Sequence, residues 1–385
     1  MDFNYTDEQI ALQETLRRFI DRDYGFERRR ELARSPLGFS PEAWTQYAEL
    51  GLLSLPFPEE FGGLGGNAVD IMLVMELAGR GLLLEPFLST VVMCGGLIRD
   101  AASEPLKRML LPRVAAGEIK LALACYEPTG RYDLPHVACT AAHDNNGAWR
   151  LSGEKTVVLD APSADYFLVS ARSGGSVRER EGISLFLVGR ETPGLTLFSY
   201  PTQSGGRAAD LRLADVTLGA DALIGGDALI GSAGQGLAIV ERAVDRGIAA
   251  LCAEAVGIIT ALNEATLSYL KTRKQFGVPI GKFQALQHRM ADMFIAAEQA
   301  RSMAVNAAVY VDSEDAAERR RAVSGAKAYI GQAARLVGQQ AVQLHGAMGV
   351  VDDVIVSHYF KRLTMIDMSL GDVDFHLARF SETLE

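Results

Sequence analysis

The sequence predicts a mainly α-helical protein with a central β domain. Three observations carry this: apolar residues recur at helical spacing through the first third of the chain, alternate with polar ones between about Leu121 and Ile230, and return to helical spacing after Gly234-Gln235-Gly236. In the N-terminal segment (1–120), Ile10, Leu12, Leu16, Phe19 and Ile20 mark a helix over 7–32, and further helices fit 41–50, 69–80 and 105–116. Between them, Pro56-Phe57-Pro58 stiffens the chain and Gly62-Gly63-Leu64-Gly65-Gly66 frees it, a turn signal with no following Lys-Ser or Lys-Thr to make a phosphate loop. The middle segment (121–230) reads as a small β domain, with strands at Trp149-Arg150-Leu151-Ser152-Gly153, Tyr166-Phe167-Leu168-Val169-Ser170 and Ile183-Ser184-Leu185-Phe186-Leu187-Val188. The C-terminal segment (231–385) holds four long helical stretches, 237–272, 283–312, 315–344 and 354–383, enough for a four-helix bundle.

At 385 residues the chain exceeds one ordinary core and predicts two or three closely packed domains. A net charge of -10 disfavours nucleic acid as a partner, because phosphate neutralisation needs a basic face, and none is expected. The acidic start of the chain and the lack of an unbroken run of about 18 apolar residues support neither a signal peptide nor a membrane span, which makes the cytoplasm the expected location. Cys94, Cys125, Cys139 and Cys252 lie apart, without C-x-x-C spacing or histidine pairs, and read as buried thiols; no metal site is expected.

Two segments carry chemistry. The first runs from Arg273 through Phe276-Gly277 to Gln284 between two long helices; a guanidinium, a tight turn and an amide in that order can clamp a diphosphate and its sugar, or form a plain interhelical turn. The second, Gln343-Leu344-His345-Gly346-Ala347-Met348-Gly349, ends another helix with small residues that let a ligand approach the backbone. Together with Pro58-Glu59-Glu60-Phe61-Gly62-Gly63-Leu64-Gly65 and Ala291-Asp292-Met293, these segments closely resemble the acyl-CoA dehydrogenase family over essentially the whole chain. The resemblance implies that family's architecture: an N-terminal helical domain, a β-barrel-like middle and a C-terminal four-helix bundle. It also implies non-covalent FAD, removal of the α-proton of an acyl-CoA thioester by a carboxylate, transfer of the β-hydride to the flavin, and a 2,3-enoyl-CoA product. Sites of this family are shared between subunits, so a homo- or hetero-oligomer is implied, with an electron-transferring flavoprotein as acceptor. By motif match the cofactor contacts fall on Arg273, Phe276, Gln284, Gln343, Leu344 and Gly346.

Two departures from the family pattern stand out. Where a threonine precedes Glu-Pro in the family, this chain has Tyr126 before Glu127-Pro128, and Val157, Val158 and Leu159 align where the flavin is usually lined by an aromatic, a β-branched residue and a threonine. Leucine cannot hydrogen-bond the flavin, and valine cannot stack on it as an indole does. The common catalytic glutamate aligns with Leu370, which has no proton-accepting atom. Some family members place the base on the first bundle helix before an arginine, a slot that here holds Asp245 followed by Arg246. Asp245 is thus the candidate base, about 1.5 Å shorter in reach than glutamate, or alternatively a surface or interfacial ion-pair residue; Arg246 is the candidate acyl-CoA contact, or a solvated helix charge. The ending 369–377 is similar to the small subunit of bacterial pimeloyl-CoA dehydrogenase and related heteromeric enzymes, which implies a more complete paralogue as partner. Three classes follow: an acyl-CoA dehydrogenase alone or in a heteromer, a flavin oxidase of the same fold, and a non-catalytic paralogue that completes an oligomer.

Overall fold

The computed structural model describes residues 5–143, 147–219 and 229–384; the stretch 220–228, beside the expected β-to-α boundary, lies outside them. The helices in chain order are α1 (Asp7–Asp23), α2 (Phe26–Arg34), α3 (Pro41–Glu49), α4 (Ala68–Gly81), α5 (Gly96–Ala101), α6 (Glu104–Ala115), α7 (Gly236–Thr272), α8 (Gln284–Tyr310), α9 (Ala316–His345), α10 (Ile355–Met368) and α11 (Val373–Ser381). The strands are β1 (Leu121–Ala124), β2 (Thr140–His143), β3 (Trp149–Leu159), β4 (Tyr166–Arg172), β5 (Ile183–Gly189), β6 (Leu195–Pro201), β7 (Arg207–Leu218), β8 (Leu229–Ile230), β9 (Lys274–Gln275) and β10 (Val278–Pro279). The chain packs as two compact units, neither contiguous: Met1–Glu31, Ala68–Leu83 and Ile248–Glu385 form one, Leu32–Asn67 and Leu84–Gly247 the other.

The first unit is helical apart from the short β9–β10 hairpin. α1 opens with a capping box in which Thr6 and Gln9 satisfy each other's backbone N–H, as the sequence T-x-x-Q allows. α4 crosses α7 at backbone contact, because both helices present glycine there: a Cβ on Gly257 would stand 1.8 Å from the Glu76 carbonyl oxygen, and one on Gly79 2.0 Å from that of Glu254. α8 and α9 bury mostly alanines (Ala296, Ala297, Ala300 and Ala304 on α8, Ala326, Ala333 and Ala334 on α9), which lets the helices approach closely. α7 also has an 18-residue window of mean hydropathy 1.5, long and apolar enough by composition to cross a membrane, which qualifies the expectation drawn from unbroken apolar runs. Of that window 72% is buried inside the protein, so packing accounts for its composition.

The last predicted helix, 354–383, is two helices. Between α10 and α11 the chain turns through Leu370 at φ 57 and Gly371 at φ 115, and Asp372 caps α11 by accepting the Phe375 N–H at 3.0 Å. Asp372 is therefore a capping residue, and positions 370 and 372 lie in a turn and not on faces of one helix. The 7–32 stretch likewise breaks at Tyr24-Gly25 into α1 and α2.

The second unit holds α3, α5, α6 and the sheet, whose strands run in the order β6-β7-β3-β2-β4-β5-β8 with β1 parallel to β4. Its core contains an ion pair: Glu127 accepts from Lys155 Nζ at 2.7 Å, from Ala138 N at 2.7 Å and from Cys139 N at 3.0 Å, while Lys155 also donates to Ser170 Oγ at 3.1 Å. Periodicity missed a buried π-helical segment, Leu88–Gly95, which continues into α5; its Ser, Thr, Val and Gly residues carry little helical signal. All four cysteines are buried free thiols, and burial pushes those of Cys125 and Cys252 up to about 12, as the sequence reading of inert thiols requires.

Candidate functional site

The two diphosphate-type segments meet at one end of the helical unit. α7 ends at Thr272, and Arg273 leads into the β9–β10 hairpin, closed by the Ile280 N–H donating to the Arg273 carbonyl at 2.9 Å. Its two loop residues, Phe276 at φ 54 and Gly277 at φ 78, both lie in the left-handed region, the pattern of a tight hairpin turn. For phenylalanine this conformation is uncommon, and it holds the ring 91% exposed, edge-on to Phe283 with centroids 6.2 Å apart. Gln284 is exposed at the first residue of α8.

α9 brings the second segment beside the first. Tyr269, one turn before Arg273, stacks on His345 with centroids 4.4 Å apart and planes at 27°. Burial holds the His345 imidazole below its ordinary pKa, and its Nδ1 lies 2.8 Å from the Ala341 carbonyl, so the stack is between neutral rings. Gln343 is exposed two residues earlier. Gly346 follows at φ 60, ψ -140, a conformation essentially reserved for glycine, and nothing lies within 4 Å of where a Cβ would stand. Leu344 is 6% exposed, so its side chain is packed inside the protein and is not presented to a ligand. The Tyr269–His345 stack thus brings the end of α7 beside the end of α9, and Arg273, Phe276, Gln284, Gln343 and Gly346 are all exposed.

Asp245 and Arg246 belong to the other unit, on the first turns of α7. Asp245 is 1% exposed, which removes the reading of a surface charge. Arg246 is 8% exposed and no solvated helix charge: its Nη1 lies 2.5 Å from Asp100 Oδ2 and donates to the Gly96 carbonyl at 3.4 Å. Burial works to raise the Asp100 carboxyl, but Arg246 and Arg99 beside it hold it below the usual carboxylate range. Arg242, one turn before Arg246, shares the same carboxylate at 3.7 Å. The Asp100 partnership has no local sequence signal, since 146 residues separate it from Arg246.

The position aligned with the usual base, Leu370, is buried in the α10–α11 turn. Two buried nitrogen groups fix that turn: Lys327 Nζ donates to the carbonyls of Asp367 at 2.9 Å and Gly371 at 2.6 Å, and His376 Nε2 lies 3.1 Å from that of Leu370. The backbone is firmly placed, but no carboxylate is presented at residue 370.

Helical and β segments in this order, with an exposed arginine hairpin beside a glycine-ended helix, are the arrangement that the resemblance to flavin-dependent acyl-CoA oxidoreductases implies. Three family models match in succession: the acyl-CoA dehydrogenase N-terminal domain over residues 6–118, middle domain over 122–217 and C-terminal domain over 234–384. The chain belongs to the acyl-CoA dehydrogenase family, whose cofactor is FAD. Among its relatives are the probable acyl-CoA dehydrogenase YngJ of Bacillus subtilis, 29% identical over 96% of both chains, and the mitochondrial short-chain specific acyl-CoA dehydrogenase of Bos taurus, 31% identical over 83% of this chain and 76% of that one. Similar solved structures include a variant of the Tcur3481-Tcur3483 steroid ACAD (29% identical, TM-score 0.87, 98% of both chains) and the ChsE4-ChsE5 complex from Mycobacterium tuberculosis (26%, TM-score 0.88, 100% and 99%). A third is the FAD complex of PigA (26%, TM-score 0.89, 100% and 99%).

The residues present fit FAD unevenly. The rim around Arg273 and Gly346 suits its diphosphate, with an exposed guanidinium and backbone open to close approach. In the segment that the resemblance aligns with the flavin ring, Val157 is exposed, Leu159 is half-buried and Val158 is buried, so what is accessible there is apolar and carries no side-chain donor.

Proposed function

We propose that this chain catalyses FAD-dependent α,β-dehydrogenation of an acyl-CoA thioester to the 2,3-enoyl-CoA, as one subunit of a heteromer with a more complete paralogue. The observation that carries this is the meeting of the Arg273 hairpin with the Gln343–Gly346 helix end across the Tyr269–His345 stack. Arg273 pairs with the diphosphate, the amides of Gln284 and Gln343 and the main chain at Leu344 and Gly346 line its sugar side, and Phe276 projects toward the partner subunit. FAD, when bound, supplies the acceptor for the β-hydride. Arg246, held in place by Asp100, contacts the acyl-CoA, and the α-proton goes to a carboxylate supplied by the partner or, in a homo-oligomer, to Asp245.

An apolar surface supports assembly: Phe276, Phe283, Phe294, Ile295, Met348 and Val350 are all exposed. The heteromeric form is favoured by the apolar residues at 157–159 and 370, which leave a partner to supply a fuller ring pocket and base. A homo-oligomer working through Asp245 is the second reading, favoured by the burial of that carboxylate next to Arg246. Electron-transferring flavoprotein is the acceptor, and the cytoplasm the place of action, in either form.

The test is to purify the chain alone and co-expressed with the product of an adjacent paralogous gene, then add acyl-CoA anaerobically and follow bleaching of the flavin band. Yellow, bleachable protein only on co-expression supports the heteromer. Asp245→Asn should abolish bleaching that depends on this chain, and Arg273→Ala should reduce FAD retention without altering acyl preference. Protein that is colourless in both preparations leaves a non-catalytic paralogue and overturns the proposal.

A further inference from the structure

Strand β3 is irregular where it carries the segment aligned with the flavin ring. Its pairing with β7 shifts register between Lys155 and Val158, so that Thr156 and Val157 together stand opposite the single residue Asp210. This is a β-bulge, a device that re-aims side chains. Val157 sits in it at φ 50 and is 53% exposed. A β-branched residue in that conformation is a true outlier and persists only where its surroundings hold it.

What holds it is one oxygen. Asp210 Oδ1 accepts from Thr156 Oγ1 at 2.8 Å, from the Val157 N–H at 3.0 Å and from the Tyr200 hydroxyl at 3.0 Å. Burial works to raise this carboxyl, and the three bonds hold it below its ordinary range, so it is an anion with its donors already in place. At the other end of the segment Asp160, at φ 57, accepts from Ser89 Oγ at 2.6 Å. The Asp210 carboxylate at one end and the Ser89 hydroxyl at the other therefore pin 157–160 from outside the segment. A pocket that had merely drifted would not need such fixing.

We infer that Asp210 is a positioning residue that holds the Thr156–Leu159 ledge in the shape required to seat a flavin ring on this chain itself. The inference rests on the reading that 157–159 faces the ring. Since the side chains there offer apolar contact only, ring binding depends on the shape of the ledge, and that shape depends on the bulge.

Asp210→Ala, Asp210→Asn and Tyr200→Phe, each in the flavin-loaded oligomer, separate the possibilities. Amide hydrogen exchange over 155–160 reports the ledge, and the visible circular dichroism of the flavin with its FAD dissociation constant reports the ring. Removing the acceptor oxygen should speed exchange and weaken FAD by about tenfold each and change the flavin signal, the scale of one lost charge-assisted bond. Asn, which keeps an oxygen in place, should restore most of both, and Phe at 200 should produce a smaller change in the same direction. Unchanged exchange in Asp210→Ala and Tyr200→Phe overturns the positioning role. Faster exchange with an unaltered flavin signal and affinity overturns the ring-facing reading instead, leaving the diphosphate rim untouched.

Discussion

Acidification should destabilise this protein through His376, by an amount the structure sets. The imidazole is fully buried, its Nε2 lies 3.1 Å from the Leu370 carbonyl, and its Nδ1 lies 3.3 Å from Ser324 Oγ. Burial, with the positive Lys327 and Arg379 nearby, pushes its pKa down to about 3, against 6.5 in an unfolded chain. The unfolded chain therefore takes up a proton as pH falls through 6.5, while the folded one stays neutral until about 3. The stability contributed by the neutral buried ring is whole above the unfolded value and is lost between the two, at about 1.4 kcal/mol per pH unit. By pH 5 the loss is about 2 kcal/mol, and it approaches roughly 5 kcal/mol at the acid end. The assay is urea unfolding of wild type and His376→Gln at pH 7, 6, 5 and 4. Their stability difference should shrink by about 2 kcal/mol between pH 7 and 5, with His345 and His358, also held below their ordinary pKa, cancelling in the comparison. A difference that stays constant across that range refutes the reasoning.

Gly257→Ala should force α4 and α7 apart, since its Cβ would lie 1.8 Å from a backbone oxygen; a loss above about 4 kcal/mol, read as a collapse of soluble yield and melting temperature, is expected. Lys155→Met leaves the Glu127 carboxylate buried with its two backbone donors and no cation, and should cost about 3–5 kcal/mol by denaturant titration. Adding Glu127→Gln to that variant should recover part of the loss, and a single variant within about 1 kcal/mol of wild type contradicts the account.

Periodicity alone was enough to distinguish helical from β segments, and for α3, α4 and the three long bundle helices the bounds agree within a few residues. These features are local: a helix or strand announces its buried face every few residues, and Gly or Pro marks its end. Motif order likewise pointed to Arg273 and Gln343, because the residues of each motif are chain neighbours. The break at Leu370-Gly371 escaped the helical periodicity, since the buried Lys327 of α9 fixes it from 44 residues away and His376 of α11 closes it from the other side. So did the π-helical segment, whose residues favour no helix by themselves.

The sequence by itself therefore determined the class of each segment, the family it belongs to and the identity of the nucleotide-type motifs. Only the tertiary structure decided that Asp245 is buried, that Arg246 is engaged by Asp100, that the two motifs adjoin through Tyr269 and His345, and that Asp210 closes a bulge 53 residues away at Val157. The physical reason is that burial and hydrogen-bond geometry depend on which distant residues share a space, and spacing along the chain carries no record of that.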